Sequence, residues 1–490
     1  MSSSGGGNIS HKLTYEGLRD WITEAERLGE LKHVTGAGTD REIGMAVGLV
    51  AAHENAAALL FDEVPGYPKG FRILANLFGG KRKNMSLGFP TGLDKVELSD
   101  AFAEVFMDQG DLIPPNEVEG GPIFENIQLG DDVDLDVFPA PLWHEKDGGR
   151  YIGTGSYHVT RDPETGWVNL GCYRVMLKDK QTVAHNVLPS HHADYHRQKY
   201  EAKGERLPMA IVLGGDPMCF FMGASALGEE VGEFEMAGRM RGRPIELVKG
   251  KVTGLPFPAD AEIVLEGYLD SSRIEPEGPF GDWTGTYTEK GRPNPVVDIK
   301  AVYYRNDPIM LAFIPQSLPD EFSRFCAIRS SAQVKRAIAA AGVPDVKEVW
   351  CHEIGAARML IGVSITQRYA GHAKQAGHVA SMVRASAVGS RWIIVTDDDV
   401  DVVDLEELIY AALTRSDPAT SVDWITNAPG APSDPRLTPW DRKKRNFVNS
   451  RMIFDACRPF HWRDDFPEPN KPTLETARDA AEMFGYLLKK

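Results

Sequence analysis

The sequence predicts a mixed fold: α/β at both ends of the chain and all-β in the middle. Three observations lead there. Leu18, Trp21, Ile22, Ala25 and Leu28 recur at helical spacing near the start. Residues 123–315 break into short alternating runs separated by glycine and proline. Trp392-Ile393-Ile394-Val395 is a continuous apolar strand that runs into Asp397-Asp398-Asp399.

In the N-terminal α/β segment, residues 1–115, the periodic stretch gives a helix over 14–28 that Gly29 closes. A second helix is expected over 41–53, followed by strands at 58–61 and 71–77. The middle unit, 116–325, reads as strands at 151–160, 168–177, 210–213, 246–252, 262–269 and 296–304, a barrel or a sandwich. In the C-terminal α/β unit, 326–450, a helix over 331–341 stops at Gly342 and Pro344. Strands at 346–351, 359–365 and 392–395 follow, and Asp404 reads as the N-cap of a helix through 414. The tail, 451–490, ends in an amphipathic helix with Leu474, Ala477, Ala481, Phe484 and Leu488 on one side, suited to a partner subunit or to its own domain.

A chain of 490 residues exceeds one hydrophobic core, so roughly two or three domains are expected. The net charge of −16 argues against a nucleic-acid partner, which needs a basic face. No apolar run approaches the roughly 18 residues that span a bilayer, so no membrane partner is expected. The first seven residues have neither a basic nor an apolar signal region and read as a flexible leader. Five dispersed cysteines without a C-x-x-C pair read as free thiols, which places the protein in the cytoplasm.

Four stretches carry residue types with chemistry. Glu275-Pro276-Glu277-Gly278-Pro279-Phe280-Gly281-Asp282 follows a run that reads as a half-buried strand. Its glycines and prolines hold Glu277 and Asp282 on a rigid turn, where two repelling acids favour one retained proton; a solvated turn is the plainer alternative. On Trp167-Val168-Asn169-Leu170-Gly171-Cys172-Tyr173-Arg174, strand alternation puts Arg174 opposite Asn169. A bulge at Gly171 would bring both to one ligand, Asn169 offering an oxygen to a hard cation and Arg174 a fork to a carboxylate.

In His191-His192-Ala193-Asp194-Tyr195-His196, His192 and His196 share a helix face, as a zinc pair would. Glu229, Glu230, Glu233 and Glu235 lie on an expected helix over 228–243, where one acid would complete an Asn/His/Glu site suited to Mn²⁺ or Mg²⁺. A surface strand, packed histidines and a charged helix face are the structural alternatives. Gly79-Gly80-Lys81-Arg82-Lys83 fits neither a P-loop nor a dinucleotide fingerprint, and no G-x-S-x-G elbow occurs.

In order and spacing, Asn169-x-Gly171-x-Tyr173-Arg174, His192-x-x-x-His196, Glu233 and Pro276 through Asp282 together resemble the UbiD family of prenylated-FMN-dependent decarboxylases. Gly214-Gly215-Asp216-Pro217, Ile245 through Lys249 and Asp397-Asp398-Asp399-Val400-Asp401 extend the likeness, which covers about residues 15 to 450. The resemblance implies a split β-barrel flavin-binding middle domain and a C-terminal oligomerisation domain, with the active site between them. It implies Mn²⁺ (or another divalent cation) on Asn169, His192 and Glu233, K⁺ nearby, and a cofactor lined by Asn169, Leu170, Gly171, Cys172, Tyr173, Arg174, His191, His192 and Glu233.

Arg174, Glu277 and Asp282 would form the acid–base network: Arg174 orients the carboxylate, Glu277 is its ionised partner and Asp282 gives the proton. Members of the family carry glutamate or aspartate at Asp282, and Gln or Arg at His191, which leaves His191 as the alternative metal ligand to His192. Arg384 and Arg391 are both candidates for the flavin phosphate. The chemistry agrees, because a carbanion on an unsaturated ring needs an electron sink that no side chain supplies.

The implied reaction is reversible decarboxylation of an aromatic or heteroaromatic acid, with the acid and CO₂ as small-molecule partners. A flavin prenyltransferase would supply the cofactor to a homodimer or higher homo-oligomer. An ordinary FMN split-barrel oxidoreductase and a non-catalytic subunit of a carboxylase complex are the alternatives.

Overall fold

The computed structural model describes residues 9–107, 110–186, 191–225, 227–228, 231–288, 290–468, 470 and 474–488, and the counts below refer to them. The expected leader and the acids Glu229 and Glu230 lie outside these residues.

Near the N-terminus, helix Leu18–Arg27 buries Leu18, Trp21, Ile22 and Ala25 on one face, and Gly29 turns the chain at φ 72°. Strand Leu31–Thr35 runs parallel to Ala58–Asp62, which pairs antiparallel with Arg72–Ala75. The fourth strand of this sheet is Ile309–Ala312, parallel to Arg72–Ala75. The first 115 residues therefore do not close a sheet by themselves. Helix Lys95–Phe106 begins with an Asp94/Glu97 capping box and packs on the long helix Glu321–Ala340.

The middle of the chain forms a nine-stranded sheet curled into a half-barrel. Its spine is Ile263–Glu277 paired antiparallel with Arg292–Tyr304, flanked by Thr182–His185 on one side and Leu207–Val212 on the other. Register shifts at Glu266/Gly267 and between Asp270 and Ile274 bend the spine. At Gly267 a Cβ would lie 2.0 Å from Asp298 O, so the bend requires glycine there. Val212 and Ala210 face one hydrophobic core, whereas Met209, Ile211 and Leu213 face the other. Both faces are covered, so the expectation of half-buried strands is corrected: Ile263, Val264 and Leu265 are all buried.

The C-terminal sheet runs Val346–Cys351, Leu360–Ile365, Trp392–Asp397, Val448–Ala456, Val422–Pro429, with a parallel centre and antiparallel edges. Asp404 caps helix Leu405–Arg415, its carboxylate accepting the amides of Glu406 and Glu407 at 2.9 and 3.1 Å. The helix expected over 331–341 is the second half of Glu321–Ala340, which links the half-barrel to this sheet. Helix Leu474–Phe484 runs into a 3₁₀ turn at Gly485–Leu488 and leaves Met483 and Phe484 exposed. No described helix is long and apolar enough to cross a membrane.

Below the half-barrel's site strands lies a buried histidine pair. His158 and His185 share a hydrogen bond of 2.8 Å, and His158 Nε2 lies 3.0 Å from Tyr173 O. Burial pushes His158 down to about 3 and His185 well below the ordinary 6.5, so both stay neutral in the folded chain. Unfolding frees them to bind protons below 6.5, so stability falls as pH drops through that value. The melting temperature should therefore decline from pH 7.5 to 5.5, and more shallowly in His158→Gln. Parallel slopes in the two proteins would contradict this reading.

Candidate functional site

Val168–Gly171 and Val175–Asp179 are separate strands, and the chain leaves the sheet between them. This break, rather than a bulge at Gly171, turns Asn169, Gly171, Tyr173 and Arg174 into one cavity of about 530 Å³. A Cβ on Gly171 would lie 2.5 Å from the Tyr173 hydroxyl, so glycine is needed for Tyr173 to lie back along the strand.

At one end of the cavity, Arg174 Nε and Nη2 donate to the two oxygens of Glu277, both at 2.8 Å. The Tyr151 hydroxyl donates to Oε1 at 2.8 Å and Asn294 Nδ2 to Oε2 at 3.1 Å. Glu277 has no exposure. Burial alone would raise its pKa, but the hydrogen bonds and charge of Arg174 outweigh it and hold the carboxyl below the ordinary range. Arg174 is likewise opposed by burial and held charged by Glu277. Its guanidinium lies 5.1 Å over the Phe280 ring.

Glu277 is the last residue of its strand rather than part of the turn, so the expected repulsion between two acids on one loop is corrected: the first acid is neutralised by Arg174. Asp282 alone sits on the turn. That turn is clamped by the preceding segment: Gly148 N donates to Pro279 O at 2.7 Å and Gly281 N to Asp147 Oδ1 at 3.2 Å. His144, paired with Asp147 at 3.1 Å, packs against Gly281. Asp282 is half-buried, faces the cavity and accepts the amide of Trp283 at 2.7 Å.

The other end gathers Asn169, His192 and Glu233. His192 Nδ1 lies 3.0 Å from Asn169 Oδ1, and Glu233 Oε2 accepts the Leu170 amide at 3.0 Å. Burial pushes Glu233 up to about 8 despite that amide. Asn169 Nδ2 and Trp167 Nε1 are buried without a hydrogen-bond partner among the described residues. Among the described residues no three His, Cys, Asp or Glu side chains converge, since this set holds two of them and an amide. An oxygen, an imidazole nitrogen and a carboxyl that resists ionisation fit a hard divalent cation.

His191 turns to Tyr173, ring centres 5.6 Å apart, and lines the cavity. His196 turns away to Thr160 Oγ1 at 2.9 Å, which overturns the His192/His196 zinc pair. Cys172 is at the wall, and burial raises its pKa, so it remains a thiol. Arg384 faces the cavity, whereas Arg391 is ion-paired with Asp434. Arg329, Arg358 and Trp283 also line the cavity and were not anticipated. Arg358 follows a turn with positive φ at Ala356 and Ala357, and no motif marks it.

An ion pair and the Asp282 carboxyl at one end of a half-barrel cavity, with an Asn/His/Glu group at the other, define the class: an enzyme whose candidate site is lined by the barrel and the C-terminal unit together. The 3-octaprenyl-4-hydroxybenzoate carboxy-lyase Rift-related domain matches residues 116–318, and the C-terminal domain of the same enzyme class matches 325–456. Pyrrole-2-carboxylic acid decarboxylase of Pseudomonas aeruginosa is 30% identical over 82% of this chain and 83% of its own. Phenolic acid decarboxylase of Streptomyces sp. strain D7 is 31% identical over 96% and 98%. The UbiD-class enzyme HmfF of Pelotomaculum thermopropionicum, solved with FMN, superposes with TM-score 0.83 at 27% identity, covering 94% of this chain and 98% of that one. An evolved dimeric form of HmfF, solved with prFMN, gives 0.78 at 25%, covering 95% and 98%. The chain belongs to the UbiD family of carboxy-lyases.

The clamp on the Asp282 turn has a direct test. A Cβ on Gly148 would lie 2.0 Å from Gly278 O. Gly148→Ala should speed amide exchange over residues 278–283 about tenfold or more while the barrel strands keep their protection. Unchanged exchange in that turn would contradict the clamp.

Proposed function

We propose that this protein decarboxylates an aromatic or heteroaromatic carboxylic acid reversibly, with prenylated FMN as its cofactor. The observation that carries the reading is Arg174, held by the buried Glu277 behind it and lining the same cavity as Asp282. The names of the pyrrole and phenolic acid decarboxylases and the prFMN complex of the HmfF form support it.

The flavin, when bound, supplies the electron sink for the breaking carbon–carbon bond. The chain's own residues do the rest. Arg174, held in one orientation by Glu277, directs its charge at the substrate carboxylate. Phe280, Phe313 and Phe325 give the ring an apolar wall and keep water away. Asp282 delivers a proton to the carbon that CO₂ leaves and withdraws one in the reverse direction.

Asn169, His192 and Glu233 would hold Mn²⁺ or another divalent cation, with K⁺ close by, and Arg384, which lines the same cavity, would meet the flavin phosphate. Leu170, Gly171, Cys172, Tyr173 and His191 line the same space. A separate flavin prenyltransferase provides the cofactor in the cytoplasm, and the chain works as a homodimer or larger homo-oligomer.

Protein co-expressed with a flavin prenyltransferase should release CO₂ from members of an aromatic acid panel. Glu277→Gln and Asp282→Asn should each lower kcat/KM about 100-fold or more. A loss of less than about tenfold in either would refute the assigned role. The metal site predicts a pH dependence. Below about 8, Mn²⁺ must displace the Glu233 proton, so affinity in flavin-free protein should fall as pH is lowered. Glu233→Gln should flatten that slope. An affinity independent of pH between 6.5 and 8 in the wild type would count against Glu233 as a ligand.

A further inference from the structure

Four guanidinium groups face the cavity, and they are not equivalent. Arg174 is engaged by Glu277. Arg384 lies on the C-terminal side. Arg329 donates to Ala224 O, and its Nε is buried without a partner. Among the described residues Arg358 makes no ion pair and no side-chain hydrogen bond, and it is half-buried. Its guanidinium packs 4.9 Å over the ring of Trp283, the residue after Asp282. Trp283 is itself fixed, since its Nε1 donates to Ser433 Oγ at 2.7 Å. Arg358 is thus presented on a rigid aromatic platform at the Asp282 end of the cavity.

Burial holds the pKa of Arg358 below its ordinary value, with Arg329 as a nearby like charge and Asp282 as a nearby opposite one. A half-buried guanidinium with another cation nearby gains from an anion in addition to Asp282. Its planar fork suits a carboxylate better than a neutral acceptor. The carboxylate destined to leave is accounted for by Arg174, so Arg358, facing the same cavity over Trp283, is open to a second anionic group.

Resting on the decarboxylase reading above, we propose that Arg358 is a specificity-determining residue that binds a second carboxylate on the substrate ring, so that the preferred substrate class is aromatic dicarboxylic acids. Arg329, through its unpartnered Nε, supports the same anion.

The test uses the flavin-loaded full chain and matched mono- and dicarboxylic acids of benzene, pyridine and pyrrole. Dissociation constants come from titration calorimetry and turnover from CO₂ release. At least one diacid should bind about tenfold or more tightly than its monoacid. Arg358→Met should bring that ratio to within about twofold, and Arg358→Lys should restore part of it. Flavin content per chain should not change. Diacids that bind no better than monoacids, or a ratio that survives Arg358→Met, would overturn the proposal. Loss of flavin in Arg358→Met would also overturn it, by assigning Arg358 to the cofactor. An Arg358-dependent diacid preference without CO₂ release from any acid would leave the subsite standing and remove the decarboxylase reading. Release of CO₂ with a ratio near one would do the reverse.

Discussion

A carboxylate with no solvent exposure must have its charge answered on the spot, and Glu277 is answered by Arg174. Both oxygens are bridged by one guanidinium, and Tyr151 and Asn294 occupy the remaining acceptor positions. That saturation keeps the pair charged in a place where burial favours neutrality. The geometry depends on distant parts of the chain. Glu277 ends one spine strand, Asn294 comes from the other, Tyr151 from an edge strand, and Arg174 from the break between two more. The curl of the sheet brings these four together.

The cavity is electrically polar along its length. At one end Glu233 is buried with no cationic partner among the described residues and keeps a proton to about 8. At the other, Glu277 is ionised and Asp282 stands beside Arg174 and Arg358. The acids at one end have guanidinium groups beside them and Glu233 at the other, among the described residues, has none, so the two ends favour bound charges of opposite sign. The helix Glu321–Ala340 couples the two units, since Phe325 and Arg329 on it reach the cavity while its later turns pack on the C-terminal sheet.

Much of the element pattern was legible because it rests on local rules. Asp404 and Gly29 mark their helix ends as capping chemistry requires. The spine strands run further than their alternation suggests, because Pro276 and Pro293 discourage a strand reading yet sit opposite each other in register. The first half of Glu321–Ala340 is hidden because it is buried nearly all round and shows no amphipathic period. The Asp94/Glu97 box of Lys95–Phe106 is a local signal of the same kind, three residues apart at a helix start. Of the candidate site, order and spacing pointed to Arg174, Asp282, Asn169, His192 and Glu233, which the fold brings to one cavity, and to Glu277, which lies buried behind Arg174. Arg358 and Trp283 were invisible, since their pairing depends on the packing of the C-terminal sheet against the half-barrel.

If Arg174 and Glu277 act as one unit, removing either should forfeit what both provide. The direct measurement is a double-mutant cycle on kcat/KM for CO₂ release from the flavin-loaded protein, using Arg174→Gln, Glu277→Gln and the double variant. The account predicts that the double variant is about as slow as the slower single one, a coupling of about 1.4 kcal/mol or more. A double variant whose loss equals the product of the two single losses would contradict it.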